Sequence, residues 1–363
     1  MIYTRKDIPW GGKLGISVKD CTTAKEVMQK ARLDFQVAKC ECVARMPFMI
    51  NGNNDVNSNM GDFVHDGNIF REVPGAFATY RTDKNIPLGF VGDKYTPVQN
   101  IEAFNFFDEA IGDGMAQWEY AGCYGYGHRI YVAAKLPVET DVNGDSINNY
   151  LVFTNSHDGS MSIDVMFTSM RMFCFNVLNA ARREADAHIR LKHTSNVKTR
   201  LHQGAEVLKI ACEHAESAQE LYNALYAIKM SESEVVDYVA KLVLDDAEYA
   251  ALEDYNNRPV IDNIYNFINL NCLTMEHVAK SVNKKSVTGK ANIIRNMIDY
   301  YQHGIGQKEI TGTAWGAYNA ITGYYANVAN IDGIKRFDSL LYGGAKTKMS
   351  NAFNAALDLA EAV

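Results

Sequence analysis

Apolar positions change their spacing near residue 168. Ahead of that point many of them alternate. Leu33, Phe35 and Val37 do so, as do Met161, Ile163, Val165 and Phe167, and this period of two predicts strands. Ile69–Val73 and Ala76–Arg81 read as two strands around Pro74-Gly75, and Leu88–Gly92 as a short one. Trp118–Tyr124 and Ile130–Lys135 flank Gly125-Tyr126-Gly127-His128 as a hairpin. Asn143-Gly144-Asp145 is a turn ahead of the strand Tyr150–Thr154. Two helices interrupt these strands. One carries Ala24, Val27, Met28 and Ala31 behind a Thr23/Glu26 cap, and the other is capped by Asn100 and shows Phe104, Phe107, Ala110 and Ile111. Residues 51–68, rich in Asn, Gly and Asp, read as a loop or long hairpin tip.

After residue 168 the period becomes helical. Helices are expected over 168–185, 196–228, 231–253, 261–270, 274–283, 289–303, 312–327 and 346–361. Along the 312–327 helix, Trp315, Tyr318 and Thr322 form one stripe that fits packing on a partner helix. The fold class is therefore α+β, with a mixed, mainly antiparallel β half followed by an α-helical half. The change of period places the domains at 1–195 and 196–363.

Composition narrows the class. With 47% apolar and 22% charged residues, the 363-residue chain has globular proportions. It has no apolar run of about 18 residues, and Met1–Asp7 lacks an apolar signal core, so no membrane partner is expected. Seven scattered cysteines fit reduced thiols and a cytoplasmic location. The net charge of −7 excludes indiscriminate binding to nucleic acid. That charge is segregated, however: residues 171–200 hold seven cations and two acids, whereas residues 213–260 hold eleven acids and three cations.

The densest polar stretch is Thr154-Asn155-Ser156-His157-Asp158-Gly159-Ser160. Catalytic triads converge in space rather than in consecutive residues, so no catalytic assignment follows. A polar turn and a ligand-binding loop both fit, the second with Asn155, Ser156, His157 and Asp158 as ligand-binding residues. Arg171-x-x-Cys174-x-Asn176 follows. With Arg171 early in a helix, its guanidinium fits a phosphate or carboxylate, or else an ion pair with Asp164. Next come Arg182 and Arg183, then Ile189-Arg190-Leu191-Lys192-His193. In that segment alternation places the cations on one face, as backbone tracking of a nucleic acid requires. Tyr120, Tyr124, Tyr126, Tyr131 and Phe153 are candidates to stack bases or to fill a sheet face. No metal-ligand spacing, P-loop or dinucleotide fingerprint is present, so neither metal nor cofactor is expected.

Several of these segments recur in order. They are Leu88-Gly89-x-Val91-Gly92-x-x-Tyr95, Gly127-x-Arg129, Asn155–Ser160, Arg171-x-x-Cys174-x-Asn176, Arg190-x-x-His193-Thr194 and Trp315-Gly316-Ala317-Tyr318-Asn319-Ala320-x-Thr322. Together they resemble the phage/plasmid-related proteins grouped as domain of unknown function 932, over roughly residues 20–360. The resemblance implies a bacterial host cytoplasm and a place in DNA metabolism or host-defence interplay. A strand-rich half feeding a cation-bearing segment is similar, by fold analogy, to single-strand annealing proteins.

Two functions are carried forward. The first is non-catalytic binding of single-stranded nucleic acid through Arg171, Arg182, Arg183, Arg190, Lys192 and His193, with a homo-oligomer as an expected form. The second is a phosphate or nucleotide pocket around His157 and Arg171, with His157 as acid/base.

Overall fold

The computed structural model describes residues 15–47, 63–66, 68–105, 116–171, 174–176, 188–193, 204–330 and 333–361. In chain order the first half holds β1 (Gly15–Ser17), α1 (Ala24–Ala31), β2 (Val37–Pro47), β3 (Phe63–His65), β4 (Asn68–Arg81) and β5 (Ile86–Gly92). A helix, α2, begins at 100 and is described to 105. Then come β6 (Gln117–Tyr124), β7 (Arg129–Val142), β8 (Asp145–Ser156), β9 (Ile163–Arg171), β10 (Cys174–Asn176) and β11 (His188–Leu191). The second half is helical: α3 (Gly204–Ala227), α4 (Glu232–Val243), α5 (Asp246–Glu253), α6 (Val260–Ile268), α7 (Cys272–Ser281), α8 (Thr288–His303), α9 (Ala314–Gly323), α10 (Gly333–Leu341) and α11 (Gly344–Glu361). The α+β expectation holds. Among the described residues no helix is long and apolar enough to cross a membrane.

All strand pairs are antiparallel. The larger sheet runs β1-β6-β7-β8-β9, with β10 and β11 both pairing β9. The smaller sheet places β4 between β2 on one side and β3 and β5 on the other. The predicted hairpin and the predicted turn of the larger sheet both form, the turn closing a second hairpin. At the β7–β8 turn Asn143 and Gly144 both have positive φ (51° and 87°), the geometry whose twist matches a hairpin. At the β6–β7 turn Gly127 has φ 111° and lies so close to Phe35 that an added Cβ would meet the ring at 2.5 Å. Gly127 is thereby both a turn residue and a contact with the strand-lined core.

The larger sheet is buried on both faces, and alternation sorts its side chains. Ile130, Val132, Ala134, Leu151, Phe153, Val165 and Phe167 face α1 and α2, joining Val27, Met28, Leu33, Phe35 and Phe104 in one core. Tyr131, Ala133, Tyr150, Val152, Met166 and Met170 face the other way, onto Phe337, Leu340, Leu341 and Met349 of α10 and α11. A third core holds the helical half together and includes Val142 and Ile147 from the tip of the β7–β8 hairpin. There α9 is buried along its whole length. Trp315 lies 4.5 Å from Tyr222 between ring centroids, and Tyr318 lies 5.2 Å from Phe353, as the stripe predicts.

Five expectations need correction. Leu33 and Phe35 precede the strand that their alternation predicts, which begins at Val37. Residues 168–171 and 174–176 are strand rather than the start of a helix, so Arg171 pairs across a hairpin with Cys174 instead of sharing a helix face with it. A strand buried on both faces loses its apolar/polar alternation. Here the polar Thr168 and Ser169 are inside, Ser169 Oγ donating to Asn149 Oδ1 at 2.7 Å. Residues 69–81 form one strand with an irregularity at Pro74-Gly75, not two. Asn100 is not a helix cap; its side chain points into the core. Finally, the single helix expected over 231–253 breaks at Asp245, which caps α5, and α10 was not anticipated at all.

Candidate functional site

Strand β8 delivers the polar loop. Its alternation sends Leu151 and Phe153 toward α1 and α2, and Asn155 and His157 continue on that side, while Thr154 faces α10. Several polar groups of the loop meet partners from other elements. Asn155 Nδ2 donates to Val98 O at 3.2 Å, His157 N donates to His128 O at 2.7 Å, and Thr79 Oγ1 of β4 donates to His157 O at 2.6 Å. Tyr95 Oη donates to Ser156 O at 2.8 Å. Gly89 of β5 packs so closely that an added Cβ would stand 2.4 Å from Asp158 O. The loop is therefore the joint where the two sheets and α2 meet.

His157 sits at the centre of that joint with 0% exposure. Its Nε2 lies 2.7 Å from Asn100 Oδ1, and Asn100 Nδ2 in turn donates to Leu33 O at 2.8 Å. An amide oxygen only accepts, so Nε2 carries the proton and Nδ1 holds a bare lone pair. Nδ1 has no partner among the described residues. Phe35 packs edge-on to the ring at 6.0 Å, and the Arg81 guanidinium lies 3.8 Å above Phe35. Burial, reinforced by nearby His193 and Arg81, pulls the His157 imidazole down to about 3, so the ring is neutral at physiological pH. His193 is also buried. It stacks on Tyr95 at 4.5 Å, and burial lowers it too.

The open surface lies on the opposite face of the same strand end. A cleft of about 540 Å³ runs between the ends of β7, β9 and β11 and the α10–α11 turn. Two arginines line it. Arg129 holds both carboxylate oxygens of Asp338 at 2.8 and 2.7 Å, and its Nε donates to Ser160 Oγ at 3.0 Å. Arg190 Nε donates to Asp164 Oδ1 at 3.0 Å, directly across the β9–β11 register, and its side chain is 58% exposed. Ser160, Ser162 and Tyr342 add hydroxyls, and Gly343-Gly344 opens α11 at the rim. Lys346 is half-buried beside it; burial first, and then the charge of Arg190, hold its ammonium below the usual lysine range.

Asp158 connects loop and cleft. Burial pushes its carboxyl up, but hydrogen bonds from Ser156 and Ser160, with Arg129 nearby, outweigh burial and hold it below the usual carboxylate range. Under the cleft a recess lined by Tyr131, Thr154, Phe337 and Tyr342 has room for about 20 Å³, one water's worth. Thr154 Oγ1 and Tyr342 Oη close it at 2.6 Å. The cleft thus offers exposed guanidinium and hydroxyl donors, already engaged by carboxylates that an incoming anion would have to displace.

The expected residues divide accordingly. Asn155, Ser156, His157 and His193 are brought together but lie inside the fold, and Asp158 is only partly exposed. Arg190 and Lys192 are exposed, on β11 and just beyond it. Arg171 ends β9; its side chain, like Arg182 and Arg183 entire, lies outside the described residues. Asp164 pairs with Arg190, and the pair considered between Asp164 and Arg171 falls outside the described residues. Arg129, Asp338 and Tyr342 were missed as site residues. Arg129 stood within a quoted motif, but its role depends on α10, 209 residues away in the chain.

No curated protein and no solved structure matches the chain. The family model of the domain of unknown function DUF932 matches residues 87–357, from β5 into α11, which takes in the joint, Arg129, Arg190 and the α10–α11 turn. By that match, spanning about three-quarters of its length, the chain belongs to the DUF932 family.

Proposed function

We propose that this chain is an accessory protein of DNA metabolism, of phage or plasmid type, that binds single-stranded nucleic acid without catalysis. The observation that carries the reading is the convergence of Arg129 and Arg190, from two separate strands, on one open cleft. Lys192, exposed, follows Arg190 by two residues, and the sequence on either side of β11 adds Arg182, Arg183, Lys198 and Arg200. Tyr124 and Tyr126, exposed at the β6–β7 turn, supply rings for stacking, and Tyr124 also lines the recess beneath the cleft. Phosphates entering the cleft replace Asp338 and Asp164 as partners of the arginines. Because that exchange weakens the net attraction, binding is modest and strongly salt-sensitive.

Fluorescence anisotropy of a labelled single strand at low and at physiological salt tests the reading. Binding that falls with salt and weakens at least several-fold in Arg190→Ala is expected. No binding at low salt sinks it. A second reading, a nucleotide or other small phosphorylated ligand, is supported by the hydroxyls of Ser160, Ser162 and Tyr342 around Arg129. It moves the pocket from His157 to Arg129, and it predicts that mononucleotides raise the melting temperature where oligonucleotides do not.

A further inference from the structure

Among the described residues, strand β2 pairs with β4 along one side only. At its root the other side is closed: the Gln99 amide accepts from Val37 N at 3.0 Å and donates to Val37 O at 2.9 Å, as a neighbouring strand would. Beyond that point, among the described residues, no strand pairs the outer edge of β2. Residues 40–46 are exposed or half-exposed on both faces, with Val43 at 47% and Met46 at 42%. The irregularity in this ribbon belongs to β4. Between the pairs Glu41↔Phe77 and Val43↔Glu72 one residue intervenes on β2 and four on β4, so β2 runs on as a regular strand. Beyond Val37, a regular edge that no described strand pairs and that carries exposed valine and methionine is a template for another strand.

We infer that the occupant is a second copy of this chain, pairing β2 against β2 in antiparallel fashion. A two-fold axis through such a pair must set one residue opposite itself, and the charges on β2 choose which. An axis at Val43 brings Glu41 of each copy opposite Arg45 of the other, twice, with Val43 against Val43 and Cys40 against Met46. An axis at Cys42 sets Lys39 against Arg45, one at Glu41 sets two carboxylates face to face, and one at Arg45 sets two guanidiniums face to face. Like charges directly opposite are destabilising, and opposite charges are favourable. An axis at Cys40 pairs Glu41 only with Lys39, which is already turned to the carbonyls of Asp93 and Tyr95, and an axis at Ala44 sets no two charges opposite each other, so Val43 is the axis that sets Glu41 opposite Arg45. Pairing at Val43 joins two four-stranded sheets into one of eight strands. It leaves the Arg129–Arg190 clefts outside the interface and does not depend on what they bind.

Sedimentation of the full chain without nucleic acid, up to ~100 µM because a single strand pair makes a small interface, tests this. The wild type is expected to dimerise. Glu41→Lys and Arg45→Glu should each weaken dimerisation tenfold or more, and the double exchange should restore it. In a Cys40→Ser, Cys42→Ser background, Val43→Cys should give a dimer cross-linked by a short bis-maleimide. A monomeric wild type, single variants that dimerise normally, a double variant that stays dissociated, or no cross-link at position 43 would overturn the proposal.

Discussion

The loop Asn155–Ser160 and the cleft beside it meet at Ser160, yet they treat polar groups in opposite ways. In the loop, backbone and side-chain groups are spent on other elements: His157 on Asn100 and Thr79, Asn155 on Val98, Ser156 on Tyr95. The charge-bearing ring is kept neutral and sealed. In the cleft, Arg129 and Arg190 stand in ion pairs beside open solvent, where their partners can be exchanged for a ligand. Density of polar residues along the chain thus marks an inter-sheet joint, while the surface suited to binding is assembled from β7, β9, β11 and α10. Substitutions in the joint should change stability, and substitutions in the cleft should change binding.

The largest effect expected is on acid stability. The folded His157 titrates near 3 and the unfolded imidazole near 6.5, so the unfolded state binds the extra proton. The stabilisation is complete above about pH 6.5 and is lost as pH falls from there toward 3, by about 1.4 kcal/mol per unit and on the order of 5 kcal/mol in full. His193, shifted the same way, steepens the loss. Urea unfolding at pH 7 and pH 5 should differ by roughly 2 kcal/mol, ahead of most carboxylate titration. His157→Asn should flatten that difference; an unchanged slope would mean that other groups set the acid response.

Gly89→Ala comes next. The added methyl meets the backbone of Asp158, which no side-chain rotation can relieve, so β5 must move off the loop. A loss of about 2–3 kcal/mol in unfolding free energy is expected, with cleft binding retained by the folded fraction. Smallest on stability is Arg190→Ala. Its ion pair is more than half exposed on the arginine side, yet it leaves buried Asp164 with one partner fewer, so roughly 1 kcal/mol is expected. Binding should suffer more than stability. Should Arg190→Ala instead destabilise the fold as much as Gly89→Ala does, the division between joint and cleft breaks down.

Much of the fold was legible in the chain because its signals are local. Asn143-Gly144 and Gly125–Gly127 announce their hairpins through positive φ, and Ile189 and Leu191 announce β11 by alternation, with Leu191 indeed inside and Arg190 out. Trp315, Tyr318 and Thr322 mark a packed helix. Where burial is two-sided the local signal failed: Thr168–Arg171 carries polar residues into a sheet interior, and Pro74-Gly75 is absorbed as an irregularity within one strand. Of the site, Arg190 and Lys192 were readable as an exposed cationic edge. The partners of that edge were not. Asp338 reaches Arg129 across 209 residues, and α10 is a nine-residue helix whose apolar positions, Ile334, Phe337, Leu340 and Leu341, cover barely two turns.

Local stereochemistry and spacing, then, decide which segments are strands, turns and helices, because backbone preferences and apolar period act over a few residues. Whether a titratable side chain is buried or exposed depends on what packs over it from elsewhere. His157 and Arg190 are equally polar in the chain. Phe35, Asn100 and the second sheet close over the first, while Asp164 and α10–α11 leave the second half in water. That difference in desolvation, set by contacts far apart in the chain, makes one a structural joint and the other a residue that can meet a ligand.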